Sequence, residues 1–160
     1  MTLQLSQKER MLLEDQKSHE EGCIQKYNNY SNQATDPELK QLFKTYAGEE
    51  QEHLNSVNQM LSGQIPNMSA KQNSSPNTNT NTNAQFQSSA PGSANPQHDA
   101  ALCTDMLMTE KFVSGGYDTA VFEFRDTNAR NTLNHIQKEE QGHGEGIYKY
   151  MEKNNMYTSQ

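Results

Sequence analysis

The sequence predicts an all-α fold, a four-helix bundle built from two copies of one helical hairpin. Three observations predict it. The tetrad Glu50-Gln51-Glu52-His53 recurs ninety residues later as Glu140-Gln141-Gly142-His143. The same shift superimposes Leu12 on Leu102, Asp15 on Asp105, Glu20 on Glu110, Tyr27 on Tyr117, Glu49 on Glu139 and Val57 on Ile147, which marks a duplicated unit. Apolar residues in both halves recur at three-and-four spacing, the period of one helix face.

The first hairpin is expected over residues 6–61. Residues 1–10 are polar and read as an irregular or frayed lead-in, with the first helix running from about Ser6 to Asn32. Its inward stripe is Leu13, Glu20, Ile24, Tyr27 and Ser31. Thr35 or Asp36 caps the next helix, with Pro37 at its first position and Glu38 at its positive end. That second helix is expected from Pro37 to about Leu61, with Leu39, Leu42, Phe43, Tyr46, Glu50, His53, Leu54, Val57 and Leu61 inward and Glu49, Gln51, Glu52 and Asn55 outward. Gly63 and Pro66 end it.

Residues 62–97 change to Asn, Ser, Thr, Gln, Pro and Ala, including an Asn-Thr alternation over 77–83. Such a stretch buries too little apolar surface to offset its ordering entropy and reads as a flexible crossover linker. A helix of about 25 residues is only ~38 Å long, so thirty-odd residues can return along it and bring the second hairpin against the first. The whole of 1–160 then forms a single domain.

The second hairpin is expected over 98–153. Its first helix spans about Asp99 to Phe124, with Cys103, Met106, Glu110, Val113, Tyr117, Val121 and Phe124 inward. Gly115-Gly116 sits in mid-helix at a cost of about 1 kcal/mol per glycine, which close helix approach would explain. Asp126, Thr127 and Asn128 offer capping chemistry. The last helix runs from about Asn128 to Lys153, with Leu133, Ile136, Glu140, His143, Ile147 and Met151 inward.

Composition bounds the function. The 160 residues are 31% apolar with a net charge of −7, and the mean hydropathy of −1.06 is depressed by the polar middle rather than by the two hairpins. No basic cluster exists to neutralise phosphates, so nucleic acid is excluded as a partner. No apolar run approaches the ~20 residues of a membrane span, and Met1 to Arg10 holds no signal-peptide core, so synthesis in a cytoplasm is expected. Cys23 and Cys103 form no C-x-x-C and do not coincide under the shift; they read as reduced, small apolar residues.

A glutamate stands thirty residues before each tetrad, Glu20 before Glu50 and Glu110 before Glu140. Residues equidistant from a hairpin turn lie at one height, and a glutamate and histidine three apart share a helix face. Packing the hairpins therefore gathers Glu20, Glu50, His53, Glu110, Glu140 and His143 in one layer. One Glu from each of two helices and a Glu-x-x-His from each of the other two is the ligand set of di-iron and di-manganese carboxylate bundles. Carboxylates bridge two cations and offset their charge, and imidazoles complete each coordination sphere. Without cations, four inward carboxylates would have to take up protons or admit water. The expected cofactor is two divalent metal ions, Fe or Mn, which would bring −7 to −3. Tyr27 and Tyr117 stand two turns beyond Glu20 and Glu110, where a phenol either packs in the core or donates to a ligand carboxylate. His19, His98 and His135 have no partner set.

Both hairpins, roughly 10–62 and 98–153, resemble the ferritin-like superfamily, with the linker where that fold has its long crossover. The segment Asp105-Met106-Leu107-Met108-Thr109-Glu110-Lys111, followed by Tyr117-Asp118-Thr119-Ala120, resembles the coat-F family of bacterial spore coat proteins. The superfamily resemblance implies Glu20, Glu50, His53, Glu110, Glu140 and His143 as metal ligands. The coat-F resemblance implies a place in the spore coat after synthesis in the mother-cell cytoplasm, among other coat proteins and further copies of the chain. The Cys-rich iron domain of rubrerythrins and the fifth helix of storage ferritins are not visible. Three functions fit: a coat protein that binds a dinuclear centre; a di-metal oxidoreductase acting on O2 or peroxide, of ferroxidase, peroxidase or manganese-catalase type, in which Glu20 or Glu110 bridges or shifts; or iron uptake without turnover at the same site.

Overall fold

A computed structural model describes residues 2–68 and 94–157. Residues 69–93 of the expected linker and 158–160 of the expected tail lie outside the described residues. Four helices make up the fold: α1, Gln7–Gln33; α2, Pro37–Leu61; α3, Pro96–Glu123; and α4, Thr127–Lys153.

Each helix begins where side-chain chemistry satisfies its free N–H groups. Ser6 and Glu9 form a reciprocal capping box, with Glu9 N 3.2 Å from Ser6 Oγ and Ser6 N 2.7 Å from Glu9 Oε2. Asp36 accepts from Glu38 N at 2.8 Å ahead of Pro37. Asn95 accepts from His98 N at 3.2 Å ahead of Pro96, and Asp126 from Ala129 N at 2.9 Å. The lead-in is not frayed, as its polarity suggested. Leu3 is buried, Thr2 pairs with Gln64, and Leu3 N donates to Gly63 O at 2.7 Å. Gly63 has a φ of +83°, and a Cβ there would lie 3.2 Å from Leu3 O, so glycine suits both the turn and the close pairing.

The buried apolar residues fall into two clusters on either side of a polar layer. One contains Leu13, Val57, Met60, Val113, Phe124 and Leu133; the other contains Leu39, Phe43, Met106, Ile147 and Met151. The first cluster joins the start of α1 and α4 to the end of α2 and α3, so α2 and α3 run parallel. Leu61 and Pro96 consequently lie at opposite ends of the bundle.

The register of α1 differs slightly from expectation. Cys23 is buried and Ile24 only half-buried, because the stripe centres on Leu13, Gln16, Glu20, Cys23 and Tyr27. Leu42, Leu54, Leu61 and Val121 are likewise half-buried flank positions, and Met60 is core. Cys23 and Cys103 are free thiols in the interior. Gly116 lies against α1: a Cβ there would come within 2.6 Å of the Gln16 amide, so close approach of α1 and α3 explains it.

The duplication extends to the contacts that lock the hairpins. Asp99, in the first turn of α3, accepts from Thr35 N at 2.8 Å and Asp36 N at 2.9 Å in the α1–α2 turn. Its counterpart under the ninety-residue shift, Glu9, accepts from Arg125 N at 2.9 Å in the α3–α4 turn. Each hairpin thus ties down the turn of the other.

Candidate metal centre

The layer between the two apolar clusters holds all six residues singled out from the sequence. Glu20 comes from α1, Glu50 and His53 from α2, Glu110 from α3, and Glu140 and His143 from α4. None is more than 2% exposed. Two groups form, each with one ligand atom per residue within 4.8 Å of the others: Glu20, Glu50, His53 and Glu140, and Glu50, Glu110, Glu140 and His143. Glu50 and Glu140 belong to both. The residues common to both groups are the Glu-x-x-His glutamates, while Glu20 and Glu110 each belong to one.

The imidazoles are oriented from both sides. His53 Nδ1 lies 3.0 Å from Glu50 Oε2 and 3.2 Å from Glu140 Oε1. His143 Nδ1 lies 3.2 Å from Glu50 Oε1, 3.4 Å from Glu110 Oε1 and 3.5 Å from Glu140 Oε2. Their outer nitrogens meet carboxylates of the opposite hairpin, His53 Nε2 with Glu139 at 2.7 Å and His143 Nε2 with Glu49 at 2.6 Å. A neutral imidazole that donates from Nε2 keeps its Nδ1 lone pair for the interior. Sequence reasoning placed Glu49 outward and gave Glu139 no role, although the shift superimposes them. His135, also given no role, lies 3.0 Å from Glu139.

The tyrosines act across the hairpins. Tyr27 donates to Glu110 Oε1 and Tyr117 to Glu20 Oε1, so the donor role left open beside core packing is realised at both positions. Burial and the adjoining carboxylates push both phenols well above their usual range, so they remain donors. Tyr46 covers His143, with ring centroids 4.3 Å apart, and its hydroxyl occupies the space a side chain at Gly146 would need.

Glu20 Oε2, Glu110 Oε2 and both oxygens of Glu140 are buried and make no aligned hydrogen bond, the Glu140 oxygens having ion-pair contacts with His53 Nδ1 at 3.2 Å and His143 Nδ1 at 3.5 Å. Burial and the neighbouring Glu50 carboxylate push Glu20 well above the usual range, and burial with Glu140 pushes Glu110 up to about 7. Burial also acts to raise Glu50 and Glu140, but the two imidazoles outweigh it at Glu50, and Glu110 together with the imidazoles outweighs it at Glu140, so both are held low. Burial acts to lower both imidazoles, and the surrounding carboxylates override it and hold them well above their usual value. Four carboxylates and two imidazoles thus share one buried layer, and four positive charges would formally balance the carboxylates. Two divalent cations carry the same charge and would engage the orphaned oxygens, so this donor set fits a metal pair.

Fold and layer together define a ferritin-like four-helix bundle. Residues 98–160, which include the second hairpin, are similar to the Coat F domain. The whole backbone is similar to part of a two-domain protein from Anabaena variabilis that contains DJ-1/ThiJ/PfpI-like and ferritin-like domains. That likeness has a TM-score of 0.67 at 15% identity and covers 95% of this chain. The chain spans only 38% of that protein, so the likeness speaks to the fold. No curated protein matches the sequence.

Proposed function

We propose that this bundle is a spore coat component that holds two divalent metal ions, Fe or Mn, between its Glu-x-x-His motifs. The observation that carries the metal assignment is the set of buried carboxylate oxygens without an aligned hydrogen bond inside two four-residue groups that share Glu50 and Glu140. Glu20 with His53 would hold one ion and Glu110 with His143 the other. The coat assignment is supported by the Coat F match. Other coat proteins and further copies of this chain are the proposed partners, and exposed Met108, Phe112 and Phe122 support such contacts. Among the described residues no helix is long and apolar enough to cross a membrane.

Elemental analysis of protein reconstituted with Fe(II) or Mn(II) tests the assignment. About two ions per chain are expected, and Glu50→Ala or Glu140→Ala should lose both together because each carboxylate serves both groups. Less than one ion per chain, indifferent to these substitutions, would reject it.

A second reading, an oxidoreductase acting on O2 or peroxide, is favoured by one further observation: a groove between α3 and α4 is lined in part by Glu110 and Glu140. A metal pair would supply the redox chemistry. The chain's own residues position it, exclude bulk water through the two apolar clusters, and hold protons at the tyrosine hydroxyls beside Glu20 and Glu110.

A further inference from the structure

We propose that the α3–α4 groove admits a small ligand, of the size of peroxide or azide, to the metal position held by Glu110 and His143, while the twin position held by Glu20 and His53 is closed to it. This inference rests on the metal reading above. The groove has a volume of about 330 Å3, and its lining includes Leu107, Glu110, Ser114, Glu140, Gly144 and Tyr148. Two of the six layer residues are therefore reached from this face.

The duplication supplies an internal control. The ninety-residue shift carries Ser114 onto Ile24 and Gly144 onto Leu54, so the equivalent wall between α1 and α2 bears two branched apolar side chains, both half-buried. On the α3–α4 face those positions offer a small hydroxyl and no side chain. Packing does not demand the glycine. A Cβ at Gly144 would meet nothing nearer than Leu107 Cδ1, at 3.8 Å, and Gly22, Gly48, Gly115 and Gly142 are likewise unforced; Gly144 differs from these four in lining the groove beside Glu110 and Glu140. With no side chain at Gly144 and a small hydroxyl at Ser114, the wall beside Glu110 and Glu140 stays open where its twin is filled. Lys111 and Glu145 also line the groove, and the Glu110 and Glu140 carboxylates repel an anion until cations offset them, so the ligand enters the loaded centre.

Azide titrated into Co(II)-loaded protein and followed by visible absorption tests this. The wild type is expected to bind one azide per chain. The double substitution Gly144→Leu with Ser114→Ile, which copies the closed wall, should weaken azide binding at least tenfold with Co(II) stoichiometry and helical circular dichroism unchanged. The converse, Leu54→Gly with Ile24→Ser, should add a second azide equivalent, and it decides the matter if the filled variant does not fold. Unchanged azide affinity in a filled variant that keeps its Co(II), no azide binding by loaded wild type, or no second equivalent in the opened variant would overturn the inference while leaving the metal centre intact. Absence of Co(II) uptake by the wild type would overturn both.

Discussion

Glu49 on α2 sits 2.6 Å from Nε2 of His143 on α4, and the ninety-residue shift reproduces the pair as Glu139 and His53 at 2.7 Å. Each imidazole is aimed by a carboxylate from the opposite hairpin, so the outer residues of one copy set the ring orientation in the other. Removing such an outer partner typically weakens metal binding by about 10–100-fold. Glu49→Ala and Glu139→Ala are expected to keep two ions per chain with affinity reduced in that range, measured by competition with a chromophoric chelator. The exposed Glu21→Ala serves as control. Equal affinities across all three variants and the wild type would deny the outer carboxylates this role.

Tyr27 and Tyr117 give a second reciprocal pair, each donating to a glutamate of the other hairpin. Phenylalanine preserves the ring and deletes the donor, leaving a buried carboxyl short of one partner at a cost of about 1–2 kcal/mol. For a chain of this length a kcal/mol moves the melting temperature by about 2–4 °C. Tyr27→Phe in the metal-free protein should therefore melt several degrees lower, and a double-mutant cycle with Glu110→Gln should show coupling near 1 kcal/mol. Additive effects would mean that the phenol only fills space.

These pairs show what could be read from the chain and what could not. The helices and the six-residue layer were legible because the duplication repeats them at one offset and the apolar period fixes which face turns inward. Glu49 and Glu139 escaped because a helical wheel assigns direction from Cα position alone, whereas a glutamate on the flank is long enough to reach a neighbouring imidazole. Glu9 and Asp99 escaped for a related reason: each lies in a first turn, where acidic residues are ordinary, and each reaches the turn of the other hairpin, Glu9 at Arg125 and Asp99 at Thr35 and Asp36, a long-range pairing that no local pattern marks. The offset that pairs 9 with 99 was the available signal. Which carboxylates belong to both groups depends on helix rotation and crossing, and no sequence period encodes that.

Metal should also be visible in stability. A ligand at a thousand times its dissociation constant stabilises the native state by about 4 kcal/mol per site, and two divalent cations would offset the four buried carboxylates directly. Reconstituted wild type is expected to melt at least ~10 °C above the same protein after chelation and dialysis, reversibly on re-addition of metal. Glu50→Ala, which removes a carboxylate common to both groups, should show almost no such difference. A wild-type melting point indifferent to chelator would count against a structural contribution from the ions.

Glu9 provides a pH test away from the centre. Burial acts to raise its carboxyl, but the hydrogen bonds from the Arg125 guanidinium and backbone and from Ser6 outweigh it and hold the pKa at about 2, below the ordinary 4.5 of a glutamate. A carboxyl with a depressed folded-state pKa binds fewer protons when folded, so its contribution is fully present above pH 4.5 and is lost as the pH falls towards 2. Solvent screens the guanidinium side of this contact, so the contribution is about 1–2 kcal/mol rather than the full value of the shift. Comparing Glu9→Gln with wild type by urea unfolding across pH 2–7 isolates it, since other titrating groups cancel in the difference. The gap should be constant from pH 7 to about pH 5 and close between about pH 4.5 and 2. A gap independent of pH would show that Glu9 holds the α3–α4 turn by shape and neutral hydrogen bonding alone.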